Sequence, residues 1–287
     1  MGLIGPLLEA FAAVVARKTV LHAATDLGIT QTAVTQRIRG LESMLGSTLF
    51  LRSRKGMMLT SEGEALVRYY ETVRGLEGEL MSQLKGPGLE RTTWLTITGP
   101  STTIRCRVIP AAAQVLEKFP HLRLNVRVSD GANLLEDIRR GTAHFAIVPR
   151  NQVPLEMDSK LLKRERYILV GRRIKKNLPF KEILASAVIV DFDEQDRMTL
   201  GFLEKYRLLA HSVRERHYVN NTDALADLVV HGNAMTVLSE EFAQPYLDDK
   251  LLVNLCPQYF YDHEIALVWY PRGEMPGYFA EVIRGVG

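Results

Sequence analysis

Apolar residues recur at helical spacing from the start of the chain. Leu7, Leu8, Phe11, Val14 and Val15 share one face of a first helix. Val20–Leu27 makes a second, short helix in which Ala23 and Ala24 allow another helix to pack closely. Gly28 ends it, because glycine tolerates the left-handed cap conformation. Thr30 is the N-cap of a third helix, whose apolar positions Val34, Ile38, Leu41 and Leu45 are spaced four, three and four apart. Two helices joined by a tight glycine-containing turn form a helix-turn-helix. After Gly46, the stretch Leu49–Thr60 fits a short hairpin with a basic tip, a wing. Ser61-Glu62-Gly63-Glu64 has capping-box form and opens a further helix. Its residues Leu66, Tyr69, Val73, Leu76 and Leu80 alternate spacings of three and four, a coiled-coil seam that predicts a partner helix. Gly75 and Gly78 weaken that helix by about 1 kcal/mol each relative to alanine. Gly86-Pro87-Gly88 stops it and marks the clearest boundary in the chain.

Beyond the boundary one pattern occurs twice. Strand Trp94–Thr98, helix Ile104–Lys118, strand Leu122–Val128, helix Asn133–Arg139 and strand Phe145–Val148 come first. Strand Ala187–Asp191, helix Met198–Leu208, strand Val213–Val219, helix Thr222–His231 and strand Ala234–Leu238 follow. This order predicts two parallel α/β lobes, with Leu161–Val170 and Glu264–Trp269 as the connections crossing between them. The expected organisation is therefore α+β and multi-domain. Residues 1–61 form the winged helix-turn-helix and 62–86 a linker and dimerisation helix. Residues 92–287 form a two-lobed module, with lobe 1 about 92–162 plus 266–287 and lobe 2 about 163–265. Such modules bind small ligands in the cleft, near strand ends and helix N-termini.

Composition narrows the function. The 287 residues suit roughly two domains at about 150 each. Apolar stretches fall far short of the ~20 residues of a membrane span. Residues 1–16 lack the leading basic charge of a secretory signal, and the two cysteines, Cys106 and Cys256, exclude a disulfide framework and a four-cysteine zinc site. Reduced thiols and a cytoplasmic location are expected. The net charge of +3 is unevenly placed: residues 1–61 carry +4, leaving −1 for the rest. A basic end on a neutral body points to a nucleic-acid-binding end. No Gly-x-Ser-x-Gly, Walker loop or His-Glu-x-x-His is present, so an enzyme is not expected, nor a cofactor or metal. Asp262-His263-Glu264 reads as a turn before a strand, His144 as a packed surface histidine, and Cys106 as buried and inert.

The stretch Leu8-x-x-Phe11, Ala23-Ala24-x-x-Leu27-x-Ile29-Thr30-Gln31-Thr32-Ala33-Val34-Thr35-Gln36-Arg37-Ile38 resembles the N-terminal signature of LysR-type transcriptional regulators. It continues through Leu41-Glu42, Leu45-Gly46, Leu49-Phe50-x-Arg52 and Leu59-Thr60-x-x-Gly63 in the expected order. The resemblance covers the whole chain and implies a periplasmic-binding-protein-like (type II) effector domain after the linker helix. It further implies a homodimeric or homotetrameric regulator of double-stranded DNA that answers to a small co-inducer. Ile29–Leu41 and Val188–Leu203 look like the subgroup controlling arginine and lysine export, which implies a basic amino acid as effector. The chain departs from the family pattern at Lys18-Thr19-Val20, at His144, where Asp is usual, and at Ala234 and Ser239, where Gly and Pro are.

On this reading Gln31, Thr32, Thr35 and Gln36 face base edges, and Arg37 and Arg39 face phosphates. Arg52, Arg54 and Lys55 are wing candidates, Arg52 being equally a structural partner of the helices. In the cleft, Ser101, Thr102 and Thr103 start a helix where a carboxylate is favoured. Asn220, Asn221 and Thr222 hold the equivalent place in lobe 2, and Arg150 lines the hinge. Asp191 and Asp193 are candidates for the cationic end of a basic ligand, an exposed acidic loop being the plainer alternative. Two rival functions remain at this point: a small-molecule sensor without DNA function, and an enzyme on a two-lobed scaffold.

Overall fold

The computed structural model describes residues 5–53, 56–85, 93–129, 134–172 and 179–287, without the side chains of 52–53 and 78–85. The chain opens with helices α1 (Pro6–Arg17), α2 (Val20–Leu27) and α3 (Gln31–Leu45). Thr19 and Thr30 cap α2 and α3, their side chains accepting the His22 and Ala33 N–H groups. Gly28 closes α2 at φ 64°, so the expected turn is present. Leu8, Phe11, Val14, Ala23, Ala24, Val34, Ile38 and Leu41 form the core of this unit. Strands β1 (Phe50–Ser53) and β2 (Gly56–Leu59) pair antiparallel as the wing. Glu42 accepts the Leu49 N–H at 2.8 Å, and Lys18 O accepts the Met57 N–H at 2.9 Å, so the wing is tied to both helical ends.

Helix α4 (Ser61–Lys85) follows, 25 residues and therefore about 37 Å long. Its cap is Thr60 rather than Ser61: the Thr60 hydroxyl accepts the Gly63 N–H at 3.0 Å, while the Ser61 hydroxyl donates to Glu62. Leu66 and Val67 are buried in the core of the helix-turn-helix unit. Leu66 therefore belongs to this chain's own packing and not to an open dimer seam. Tyr69 is exposed, Val73 and Leu76 are half-buried, and the Leu80 side chain lies outside the described residues.

The remainder forms two lobes. The first sheet contains β3 (Thr93–Gly99), β4 (Leu122–Val128), β5 (Phe145–Pro149), β6 (Asp158–Leu161) and β13 (Ile265–Trp269), in the order β4-β3-β5-β13-β6. The second contains β7 (Glu165–Arg172), β8 (Val188–Asp191), β9 (Arg216–Tyr218), β10 (Ala234–Ser239) and β11 (Leu252–Asn254), in the order β11-β7-β10-β8-β9, with β12 (Tyr261–His263) also on β7. Lobe 1 packs α6 (Ile109–Lys118), α7 (Leu134–Arg139) and α12 (Gly277–Gly285) on its sheet, and the short α5 (Ser101–Thr103) follows β3. Lobe 2 packs α8 (Phe180–Ser186), α9 (Met198–Lys205), α10 (Thr222–His231) and α11 (Glu240–Asp248).

Each sheet is mixed, not parallel. β3 pairs parallel with β4 and β5, and β8 parallel with β9 and β10. β13, however, runs antiparallel to β5 and β6, and β7 antiparallel to β10, β11 and β12. The reason is connectivity: the chain passes directly between lobes at residues 162–164 and again at 264, so the crossing strands enter each sheet against its direction. Asp262 and His263 lie in β12 and Glu264 on the crossing, so the triplet is not a turn.

Candidate functional site

Two surfaces gather the candidate residues. On α3, Val34, Ile38 and Leu41 face the core, and the opposite face presents exposed Gln31, Thr32, Gln36 and Arg39 with half-buried Thr35. At about 100° per residue these five side chains lie within one arc of about 140°. Arg37 is about 160° from Arg39 on the same wheel and is half-buried, so it stands apart from that face. Thr35 and Arg39 also border a groove shared with Val20, Phe50 and Met57. Arg52's side chain, Arg54 and Lys55 lie outside the described residues. Arg17, counted in the basic end, is ion-paired with Asp26 on α2.

The second surface is a cavity of about 380 Å³ between the lobes. Pro100, Ser101 and Thr102 form one wall; Phe192, Asp193, Gln195, Asp196, Thr222 and Ser239 are among those forming the other. Ser101 Oγ and Thr222 Oγ1 are 2.9 Å apart, so the walls touch. The acidic loop is self-ordered. Asp193 Oδ1 accepts the Gln195 and Asp196 N–H groups at 2.8 and 2.9 Å, and Asp196 accepts those of Phe192 and Met198 at 3.1 and 2.8 Å. Each carboxylate keeps further lone pairs for a cation.

Several expected cleft residues are engaged elsewhere. Thr103 is fully buried and donates to Glu165 Oε1 at 2.6 Å, because a helix started at Ser101 turns its third residue inward. Asp191 is 1% exposed and held by Arg216 at 2.6 and 2.7 Å. Burial pushes its carboxyl up, against hydrogen bonds from Thr199 and Arg216. Asn221 is the N-cap of α10, accepting the Ala224 N–H at 2.9 Å, and Asn220 is exposed beside it, outside the cavity lining. Arg150 lies at the crossing, donating to Glu264 at 2.9 Å; that hydrogen bond holds the Glu264 carboxyl below its usual range, with Arg164 adding at 2.7 Å.

Residues that sequence reasoning missed fasten the lobes. Ile104–Val108 is a turn of π-helix between α5 and α6. Arg105 pairs with Asp223, and buried Arg107 forms two bonds with Glu241 at 2.8 and 2.9 Å. Cys106, between them, is half-buried against the lobe 2 core and not fully buried, and burial raises its thiol. His144 is no surface residue: it is 8% exposed, its Nδ1 accepts the Thr96 N–H at 3.0 Å, and burial lowers its pKa to about 3. Ser239, in place of the usual proline, caps α11 through the Phe242 N–H at 3.2 Å.

Residues 6–64 match the family described as "Bacterial regulatory helix-turn-helix protein, lysR family", and residues 90–285 match "LysR substrate binding domain". The chain belongs to the LysR family of DNA-binding transcription regulators. The HTH-type transcriptional regulator ArgP of Salmonella typhi is 30% identical over 256 residues, 87% of this chain and 84% of that protein. ArgP from Mycobacterium tuberculosis superposes with a TM-score of 0.75 at 24% identity, over 99% of this chain and 96% of that one. Full-length LysG from Corynebacterium glutamicum with bound effector Arg superposes with a TM-score of 0.72 at 20% identity, covering 98% and 95%. These structures share the fold of the LysR-family chain. Among its described residues no helix is long and apolar enough to cross a membrane.

Proposed function

We propose that this LysR-family regulator answers to a basic amino acid held in the inter-lobe cleft. The carrying observation is the pairing of opposite chemistries across that cavity. Ser101 and Thr102 open a helical run on one wall, where backbone N–H groups and the helix dipole suit a carboxylate. Asp193 and Asp196 supply carboxylates to the other wall, suited to an ammonium or guanidinium. The resemblance to ArgP supports the same ligand class, as does the arginine bound in LysG.

On this reading residues 1–61 bind operator DNA, α4 links and dimerises, and 92–287 sense the effector. Gln31, Thr32, Thr35 and Gln36 face bases while Arg39 and the wing face phosphates. The regulator works in the cytoplasm as a homodimer or homotetramer, and it binds its effector without turnover. Calorimetric titration of the full chain tests the effector class. Arginine or lysine should bind saturably, dicarboxylic and aromatic acids without an amino group should not, and Asp193→Asn should weaken binding about tenfold or more, the scale of one charged hydrogen bond. Saturable binding of an acidic effector, with none of arginine or lysine, would sink the assignment.

A further inference from the structure

A second cavity, of about 310 Å³, lies away from the cleft, where α4 rests on lobe 1. Glu71, in the middle of α4, lines one side; His144, before β5, and Arg272, after β13, line the other. Arg272 stacks on Phe279 at 4.2 Å, and its Nη1 is buried with no hydrogen-bond partner among the described residues. His144 uses Nδ1 to accept the Thr96 N–H, so its ring proton resides on Nε2, which is the nitrogen left to donate. Glu71 feels the charge of Arg74, three residues on in α4, and then that of Arg272, while Arg272 feels Tyr278 and then Glu71; among the described residues neither Glu71 nor Arg272 makes an ion pair within 4.0 Å. Burial acts on both, raising the Glu71 carboxyl and lowering the Arg272 guanidinium.

A desolvated charge without a counter-charge is unfavourable, and an unfilled buried donor in a folded protein calls for an explanation. Here Arg272 and Glu71 border the same cavity without touching, while Arg68, the other cation of the lining, is taken up by the Arg139 carbonyl and the Tyr270 ring. The complement of such a pair is one small molecule carrying both charges a few ångströms apart. We infer that this junction cavity binds a free α-amino acid as its zwitterion, carboxylate toward Arg272 and His144, ammonium toward Glu71. Thr72 also lines the cavity; its hydroxyl donates to Arg68 O at 2.8 Å, leaving its oxygen to accept from the ammonium. The volume lies at the small end of ligand pockets, which suits a short side chain. The site joins α4, which carries the DNA-binding unit, to the sensing lobe. Its occupancy therefore acts on the joint between them, independently of what fills the cleft.

The test uses the full chain and L-alanine, with propionate and ethylamine as probes bearing only one of the two charges. Alanine should bind saturably, at about 10 mM or below, the two single-charge probes should not, and Glu71→Gln and Arg272→Gln should each weaken alanine at least about tenfold. Ser101→Ala, in the cleft, should leave alanine binding unchanged, which separates this site from the effector site. Thermal melts of both variants establish that they fold, and Arg272→Lys, which keeps the charge, should retain part of the binding. Absence of saturable alanine binding to the parent overturns the inference. So does binding that survives both substitutions, or propionate binding as well as alanine.

Discussion

Gly75 and His144 show how a single residue changes meaning once its neighbours are known. By helix propensity Gly75 weakens α4, and alanine there should stabilise by about 1 kcal/mol. In the fold, a Cβ at this position would lie 2.6 Å from Tyr278 Oη and 3.2 Å from Pro276 Cγ, and Tyr278 is fully buried. Overpacking of this kind destabilises by about 1–3 kcal/mol. Gly75→Ala is therefore expected to lower the melting temperature; a rise would show that α4 lifts from α12 freely. His144 carries a pH signature. Its folded pKa is about 3 against an ordinary 6.5, so between those values the unfolded chain binds more protons. Stability is unaffected above 6.5 and declines as pH falls below it, by up to about 1.4 kcal/mol per unit. His144→Asn keeps an acceptor for the Thr96 N–H and should flatten part of that decline. Urea midpoints at pH 7 and pH 5 check this, and equal slopes in parent and variant would remove His144 from the account.

At the scale of elements, α3 and the π-helical turn carry the predictions. The α3 face combines side chains able to read bases with one suited to phosphate. Gln36→Ala should cost about 1–3 kcal/mol at the operator and relax preference at one base position. Arg39→Ala should weaken binding to all sequences alike and reduce the salt slope by about 1. Fluorescence anisotropy across a salt series, with operator and random DNA, distinguishes the two. Much of α3 was legible beforehand, because capping and a three-four apolar repeat are local and Thr30, Val34, Ile38 and Leu41 lie within one helix. Arg37 is about 100° of rotation from Gln36 on the helix, so its half-buried place apart from the base-facing side chains follows from helix geometry and not from its charge. The π turn was not legible at all. Nothing in Ile104–Val108 signals it, and the roles of Arg105 and Arg107 depend on lobe 2 bringing Asp223 and Glu241 to them.

Across the whole molecule, one segment fastens the two lobes. Ser101, Thr103, Arg105 and Arg107 reach Thr222, Glu165, Asp223 and Glu241 respectively. The Arg105–Asp223 pair is exposed and worth at most about 1 kcal/mol. Arg107 is 5% exposed and also donates to the Lys163 and Arg164 carbonyls beside the first crossing, so it contributes more. Glu241→Gln should loosen closure and lower effector affinity several-fold without touching the cleft. Small-angle scattering with and without arginine checks it: the variant should be the more open form, and identical curves would mean that Arg107 holds only its own lobe.

What the sequence determined by itself was the helix-turn-helix, the helix after it and the two-fold strand–helix pattern, with a cleft between the lobes as an expectation; β6, β11, β12, α8, α11 and α12 were not read from it. These follow from short-range spacing: capping residues, periodicity and turn chemistry act within a few residues of one another. Only the tertiary structure decided which polar groups remain for a ligand. Asp191 is held by Arg216, Thr103 by Glu165 and Leu66 by the helical core, while Asp193 and Asp196 line the cavity. Each of those outcomes depends on where another segment of the chain packs, and identical residue types in one stretch carry no mark of which will be buried. Glu71, His144 and Arg272 make the same point most fully. They are separated by long spans of sequence, and only packing of α4 on lobe 1 places them around a single cavity.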